Sequence, residues 1–196
     1  MSKLYCLMGK SASGKDTFYK DLMAEKRLAL KTVVSYTTRP PREGEKDGAE
    51  YHFVSRERLD ELEKAGKVIE RRDYTTVHGT WTYFTVDDGQ IDPDGQQDML
   101  IIGTLESFAR LRERFGKTHV IPIYIHVEDG ERLERALARE RRQEHPRYAE
   151  MCRRFLADEK DFSQENLKKC EITEIYENNN YENCLKQIIR NIEAHR

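Results

Sequence analysis

Gly9-Lys10-Ser11-Ala12-Ser13-Gly14-Lys15-Asp16-Thr17 follows directly on the apolar run Leu4-Tyr5-Cys6-Leu7-Met8. A short strand feeds a glycine-punctuated turn, and Phe18, Leu22 and Met23 then recur at helical spacing. Strand, loop and helix in this order read as a phosphate-binding loop. Gly9 and Gly14 permit backbone angles that a side chain would forbid. The N–H groups so freed, with the helix N-terminus behind them, point at anionic oxygens. Lys15 adds a mobile positive charge for β- and γ-phosphates. Gly9, Ser11, Ala12, Ser13, Gly14, Lys15, Asp16 and Thr17 are therefore the candidate nucleotide-phosphate residues. Asp16 stands where such loops usually carry the Ser/Thr that meets magnesium, and the hydroxyl moves one residue on, to Thr17, the candidate metal ligand. Asp16 either supplies a carboxylate to that metal or is a first-turn acid favoured by the helix dipole.

Outward from the loop, strand-like runs stand at Leu4–Met8, Thr32–Ser35, Met99–Gly103 and Val120–Val127. Their apolar content with little polar alternation predicts strands covered on both faces. Helical stretches lie between them at about 15–28, 56–65, 104–115, 130–144, 147–161 and 181–194. Alternating strands and helices predict an α/β domain of three layers with a central parallel sheet. Right-handed crossovers put the phosphate loop at the carboxyl edge of that sheet, where ligands bind. Residues 36–92 break the alternation and read as a small insertion of short strands plus one helix. Residues 128–161 are charge-dense and helical, interrupted at His145-Pro146. One domain over 1–196 is expected, with its core in 1–35, 93–129 and 160–196, an inserted subdomain in 36–92 and a helical lid in 130–159.

The net charge of −2 predicts no bulk attraction to nucleic acid or to a membrane. Cys6, Cys152, Cys170 and Cys184 lack metal-type spacing and read as reduced thiols, which points to the cytoplasm. The chain starts directly with a strand, so no signal peptide is expected. Its apolar runs fall well short of the roughly 18 residues a membrane span needs.

The decisive stretch for function is Ser35-Tyr36-Thr37-Thr38-Arg39-Pro40-Pro41-Arg42-Glu43-Gly44-Glu45, followed by Asp47-Gly48-Ala49-Glu50-Tyr51-His52-Phe53-Val54-Ser55. Arg39 and Arg42 flank a turn stiffened by Pro40-Pro41. Two guanidinium forks on a rigid loop suit a phosphate monoester. Ser35 and Tyr51 can donate to the same phosphate or to a base, and Glu45 can hold an arginine in place. Both motifs resemble those of guanylate kinases, at that family's spacing after the phosphate loop, and weaker similarity runs to the C-terminus. The resemblance implies that these residues bind the phosphate of GMP, with ATP on the loop and Mg²⁺ between them. It also implies that Glu70, ending Val68-Ile69-Glu70, accepts from guanine N1–H and the 2-amino group, an edge adenine lacks.

Two segments depart from the family. Its G-x-Y-Y-G-[ST] stretch is matched here by His78-Gly79-Thr80-Trp81-Thr82-Tyr83-Phe84-Thr85, where Tyr83 and Thr85 fill the tyrosine and hydroxyl roles if one residue is inserted. Trp81 either stacks on a base or belongs to the core. The family's L-D-x-D strand is replaced by Leu100-Ile101-Ile102-Gly103-Thr104, leaving Ile102 and Thr104 at the acidic positions. Thr104 can still hydrogen-bond a base or a water. Further on, Arg132, Arg135, Arg139, Arg141, Arg142, Arg147, Arg153 and Arg154 crowd the expected lid. Many will pair with neighbouring glutamates, but phosphoryl transfer needs cations on a closing element. Arg139 and Arg154 match the family's lid arginines best, with Arg135 and Arg153 as nearby alternatives. Asn178, in Ile175-Tyr176-Glu177-Asn178, either matches the family's asparagine near the ATP adenine or begins an Asn-rich turn.

The resemblance thus implies a nucleoside monophosphate kinase acting on ATP and GMP, working as a monomer or homodimer. Lys15, Arg39, Arg42, Arg139 and Arg154 are its candidate catalytic residues. Ser35, Arg39, Arg42, Glu45, Tyr51, Glu70, Tyr83, Thr85 and Thr104 are its candidate acceptor residues. Two rivals stand beside it. One is a kinase for another phosphorylated acceptor such as ribose 1,5-bisphosphate, whose kinases share a Gly-Lys-Asp-[Ser/Thr] ending like Gly14–Thr17. The other is an inactive guanylate-kinase-like binding module, which usually lacks the loop lysine kept here.

Overall fold

The computed structural model describes residues 1–42, 44–76 and 79–196; Glu43 and His78, quoted in the motifs above, lie outside them with Val77. Strand β1 (Leu4–Gly9) is buried along its whole length. It pairs in parallel with β7 (Met99–Ile102) and β8 (Val120–His126) on its two sides. β2 (Lys31–Thr32) and β9 (Ile175–Glu177) complete a five-stranded parallel sheet of order β2-β7-β1-β8-β9. The alternation along β1 sends its side chains into two cores. Leu4, Cys6 and Met8 pack under α3 (Leu105–Phe115) and α6 (Gln164–Lys169). Tyr5 and Leu7 pack under α1 (Lys15–Ala24) and α7 (Tyr181–Ala194). Three layers follow because both sheet faces are apolar and each needs a helical cover.

The second sheet, of order β4-β3-β6-β5, is built from β3 (Tyr36–Thr37), β4 (His52–Phe53), β5 (Val68–Thr76) and β6 (Gly79–Val86). Helix α2 (Arg56–Lys64) covers it, burying Leu59 and Leu62 against Phe84 and Val86. Helices α4 (Asp129–Arg141) and α5 (Tyr148–Asp161) pack against each other across a short link, and α5 buries no residue of its own.

Several boundaries shift from the sequence reading. The first helix ends at Ala24, not 28, because the Glu25 carboxylate accepts from the Arg27 backbone and guanidinium and turns the chain. α4 stops at Arg141 rather than 144, where Glu140 accepts from the Arg147 N–H at 2.9 Å and closes the turn. The run Thr32–Ser35 is no single strand. Thr32 still pairs with β7, while Val34 is held by the Gln90 side chain as the chain crosses to the second sheet. The short strands expected in 36–92 include one long hairpin, β5–β6, whose mixed charge hid its length.

Ala12 adopts φ 63°, the left-handed region. An alanine there costs about 1–2 kcal/mol, against the roughly 0.5–1 kcal/mol entropy penalty that a glycine would bring. Ala12→Gly is therefore expected to stabilise the fold by about 0.5–1 kcal/mol, read as a small rise in urea midpoint at unchanged slope.

Candidate active site

The phosphate loop leaves β1 at Gly9, where an added Cβ would meet Ser13 Oγ at 2.6 Å and the Ile125 carbonyl at 2.8 Å. Only glycine allows the loop to fold back this tightly. Gly14 caps α1 at φ 89°, again a glycine conformation. Behind it, the buried Asn178 donates its amide to the Ser13 carbonyl at 3.0 Å. Asn178 thus braces the loop from below, a contact that its Asn-rich neighbourhood does not announce. Among the described residues Lys15 makes no ion pair, whereas Lys10 is held by Glu159 at 2.5 Å and Asp129 at 3.4 Å. The cation left for a ligand is therefore Lys15.

A carboxylate reports on the loop's own chemistry. The Ser11 N–H donates to Asp158 at 2.7 Å, an anionic oxygen on a loop amide. Asp158 and Glu159 sit at the end of α5, and Arg132 of α4 binds both of them as well as Asp129 and the Ser11 carbonyl. Its side chain is only 1% exposed. Burial opposes ionisation of Asp129, but Arg132 and Lys10 outweigh it and hold its carboxyl below the usual range. Sequence reasoning counted Arg132 only within an arginine-rich stretch and did not single out Lys10, Asp158 or Glu159. No local signal marks this cluster, because its members come from three distant elements.

Asp16 and Thr17 are exposed on the first turn of α1. Among the described residues no group of three His, Cys, Asp or Glu could hold a metal ion. One hydroxyl and one carboxylate beside a loop of N–H donors nonetheless suit Mg²⁺ arriving on nucleotide phosphates, since that ion keeps several waters and takes few protein ligands.

In the turn that follows β3, Arg39 is buried. It forks onto Glu45 through two contacts of 2.9 Å, donates Nε–H to the Tyr83 hydroxyl at 3.1 Å and reaches the Pro40 carbonyl at 2.8 Å. Tyr51 and Phe53 lie at 5.6 and 5.5 Å from its guanidinium. Glu45 also accepts from the Arg42 N–H at 2.7 Å, so it shapes the whole turn. Most of the Arg39 donors are thereby spent within the protein, which leaves the exposed Arg42 as the fork open to solvent. Ser35 is half-buried beside them, and its carbonyl accepts from His52 N–H.

On one face of the β5–β6 hairpin, Glu70 lies opposite Thr85 and Arg72 opposite Tyr83. Glu70 accepts from the Thr85 hydroxyl at 2.8 Å and from Arg72 at 3.0 and 3.3 Å, with its side chain 1% exposed. Arg72 was not among the candidates, since a charged residue alternating on a strand normally reads as solvated. Trp81 is half-buried opposite Tyr74. Thr104 caps α3, accepting from the Ser107 N–H at 3.2 Å while Ser107 accepts from Thr104 N–H at 2.7 Å. That capping role accounts for a hydroxyl at this position independently of any ligand.

Of the lid arginines, Arg132 belongs to the loop cluster. Arg153 and Arg154 both donate to Glu150, and that pairing, led by Arg153, pulls its carboxyl down to about 2. Arg139 lines a shallow groove with Arg135 and Arg142. No helix among the described residues is long and apolar enough to cross a membrane.

A family model described as guanylate kinase matches residues 1–195. A guanylate kinase of Alkalilimnicola ehrlichii is 32% identical over 143 residues, covering 73% of this chain and 67% of that protein. A guanylate kinase of Clostridioides difficile is 40% identical over 78 residues, covering 39% of this chain and 38% of its own length. The pig guanylate kinase is 33% identical over 62% of this chain and 58% of that protein. For the last two, the matched stretch spans less than two thirds of the relative. The solved structure of a guanylate kinase from Anaplasma phagocytophilum superposes with a TM-score of 0.67 at 22% identity, over 99% of this chain and 87% of that one, which speaks for the fold.

Proposed function

The chain belongs to the guanylate kinase family, and from that premise we propose that it transfers the γ-phosphate of ATP to GMP, giving ADP and GDP. One observation carries the reading. The Tyr51 ring packs edge-on against Tyr83 at 5.5 Å and lies 5.6 Å from the Arg39 guanidinium, so two tyrosines gather around the phosphate-turn arginine. Lys15 and the loop amides hold the donor phosphates, with Mg²⁺ entering as part of Mg-ATP and meeting Thr17. Asn178 keeps the loop in shape from behind. Arg42, Tyr51, Tyr83 and Ser35 hold the acceptor phosphate. Arg39 and Glu45 fix the turn that carries Arg42, and Arg39 keeps a remaining donor for the same phosphate. Glu70, with Thr85 and Thr104, meets the base.

No side chain need act as a strong base, because the attacking phosphate oxygen is already anionic. Positioning and charge neutralisation carry the rate. Arg139 and Arg154 close over the transferring group when the lid moves, Arg154 leaving Glu150 to do so. We also take the chain to be cytoplasmic, with nucleotides rather than nucleic acid or membrane as partners, and to act as a monomer or homodimer. A coupled ADP-release assay with Mg-ATP tests the reading against GMP, dGMP, IMP, AMP, UMP, CMP and ribose 1,5-bisphosphate. Turnover with GMP is expected. Silence on every nucleotide, with ATP binding intact, would overturn it in favour of another acceptor.

A further inference from the structure

We propose that Arg72 is a specificity-determining residue that reads the 6-oxo edge of the acceptor base, so that the acceptor class is 6-oxopurine nucleoside monophosphates rather than guanine nucleotides alone. The inference rests on the reading above, in which Glu70 faces the base. A carboxylate offers about four acceptor sites. On Glu70, Thr85 and Arg72 Nη2 fill two on Oε1, and Arg72 Nε fills one on Oε2. About one site then remains, enough for a single purine N–H and too few for both N1–H and the 2-amino group. Glu70 in this state can report N1–H, and no carboxylate stands at Ile102 or Thr104 to read the amino group in its place.

Arg72 supplies the missing contact. It spends two of its N–H donors on Glu70, and its Nη1 hydrogens and the second Nη2 hydrogen remain as a parallel donor edge. That edge matches guanine O6 and N7, the commonest arginine–guanine pairing. The order along the hairpin fits the nucleotide. Glu70 is followed on the same face by Arg72, and Arg72 lies opposite Tyr83, which contacts the phosphate-turn arginine Arg39. N1–H edge, then O6/N7 edge, then 5′-phosphate is also the order met on a purine nucleotide. The Arg72 side chain is 18% exposed, so a base contact there is largely shielded from water. A 6-amino purine would place a donor against these donors and be rejected.

The test compares the wild type with Arg72→Lys, which keeps a cation beside Glu70 but loses the fork, and with Arg72→Met as a second variant; thermal melts show that each is folded. Acceptors are GMP, IMP, AMP and 6-thio-GMP, whose sulfur accepts hydrogen bonds poorly. The wild type should use IMP within about tenfold of GMP, and AMP about a thousandfold or more less well. Arg72→Lys should lower kcat/KM for GMP and IMP roughly tenfold to a hundredfold, mainly through KM, while lowering 6-thio-GMP by clearly less, since that analogue has kept N7 but already lost the O6 acceptor. Equal losses on GMP and 6-thio-GMP would mean that Arg72 merely props Glu70 and would overturn the proposal. So would an IMP rate a hundredfold or more below that of GMP. A wild type active on none of these purines would instead sink the functional reading itself.

Discussion

Lys15→Met should abolish phosphoryl transfer to within about a thousandth of the wild-type kcat, with the melting temperature unchanged. Lys15 follows the left-handed cap residue Gly14, so its ammonium stands at the mouth of the loop where α1 begins. It has no ion-pair partner among the described residues, and so no structural contact is lost with it. In the transition state the negative charge spreads over the transferring oxygens, and a preorganised cation there is worth about 3–4 kcal/mol. That is two to three powers of ten in rate. The neighbouring Lys10 is the internal control. It is equally basic, but Glu159 and Asp129 already hold it, so its charge is spent on docking α4 and α5 to the loop. Steady-state kinetics for the rate and a thermal melt for the fold separate the two roles. A Lys15→Met enzyme with a tenth or more of the normal turnover would remove Lys15 from the chemistry.

The largest stability effect is expected at Glu45, although it lies in a surface turn. Arg39 is 2% exposed and its two forked contacts end on Glu45, itself 17% exposed. Removing the carboxylate leaves a buried guanidinium with only the Tyr83 hydroxyl and the Pro40 carbonyl, and takes the acceptor from Arg42 N–H as well. Breaking such a pair from one side costs about 3–5 kcal/mol, because the remaining charge stays desolvated. For a domain of this size Glu45→Ala should lower the melting temperature by roughly 10 °C. Glu45→Gln, which keeps one acceptor, should lose less. Acid stability provides a second readout. The Arg39 hydrogen bonds outweigh burial and hold the Glu45 carboxyl below its usual range. Its stabilisation is therefore present above the unfolded value near 4.3 and is lost as pH falls through the depressed native value. Glu45→Gln should remove that share of the acid-side slope. A melting shift under about 2 °C for Glu45→Ala would mean that Arg39 finds other partners.

Much of the fold was legible because it depends on local pattern. The apolar runs without polar alternation marked β1, β7 and β8, and the helical stretch at 104–115 marked α3. The short edge strands β2 and β9 were harder. Their stability comes from pairing with β7 and β8, and two or three residues carry little periodicity of their own. The hairpin β5–β6 was hidden for the opposite reason. Glu70, Arg71, Arg72 and Asp73 look solvated as a string, yet the strand pleat buries the side chain of Glu70 with Arg72 and turns Arg71 and Asp73 outward to pair with each other. Alternation sorts charges onto two faces, but which face is covered depends on what packs there.

By itself the sequence determined the parallel three-layer core, the position of the phosphate loop at the carboxyl edge, and the identity of the family, through Gly9–Thr17 and residues 35–55. These are matters of spacing, glycine conformation and short-range motif, which act within a few residues. The tertiary structure decided how the charges divide. It gave Glu45 to Arg39, Glu70 to Arg72, Asp158 to the Ser11 amide and Asn178 to the Ser13 carbonyl. In a chain with 36% charged residues each cation has many partners of the right sign. Only the fold, by bringing α4 and α5 against β1's loop and β6 against β5, selects the one close enough to survive desolvation.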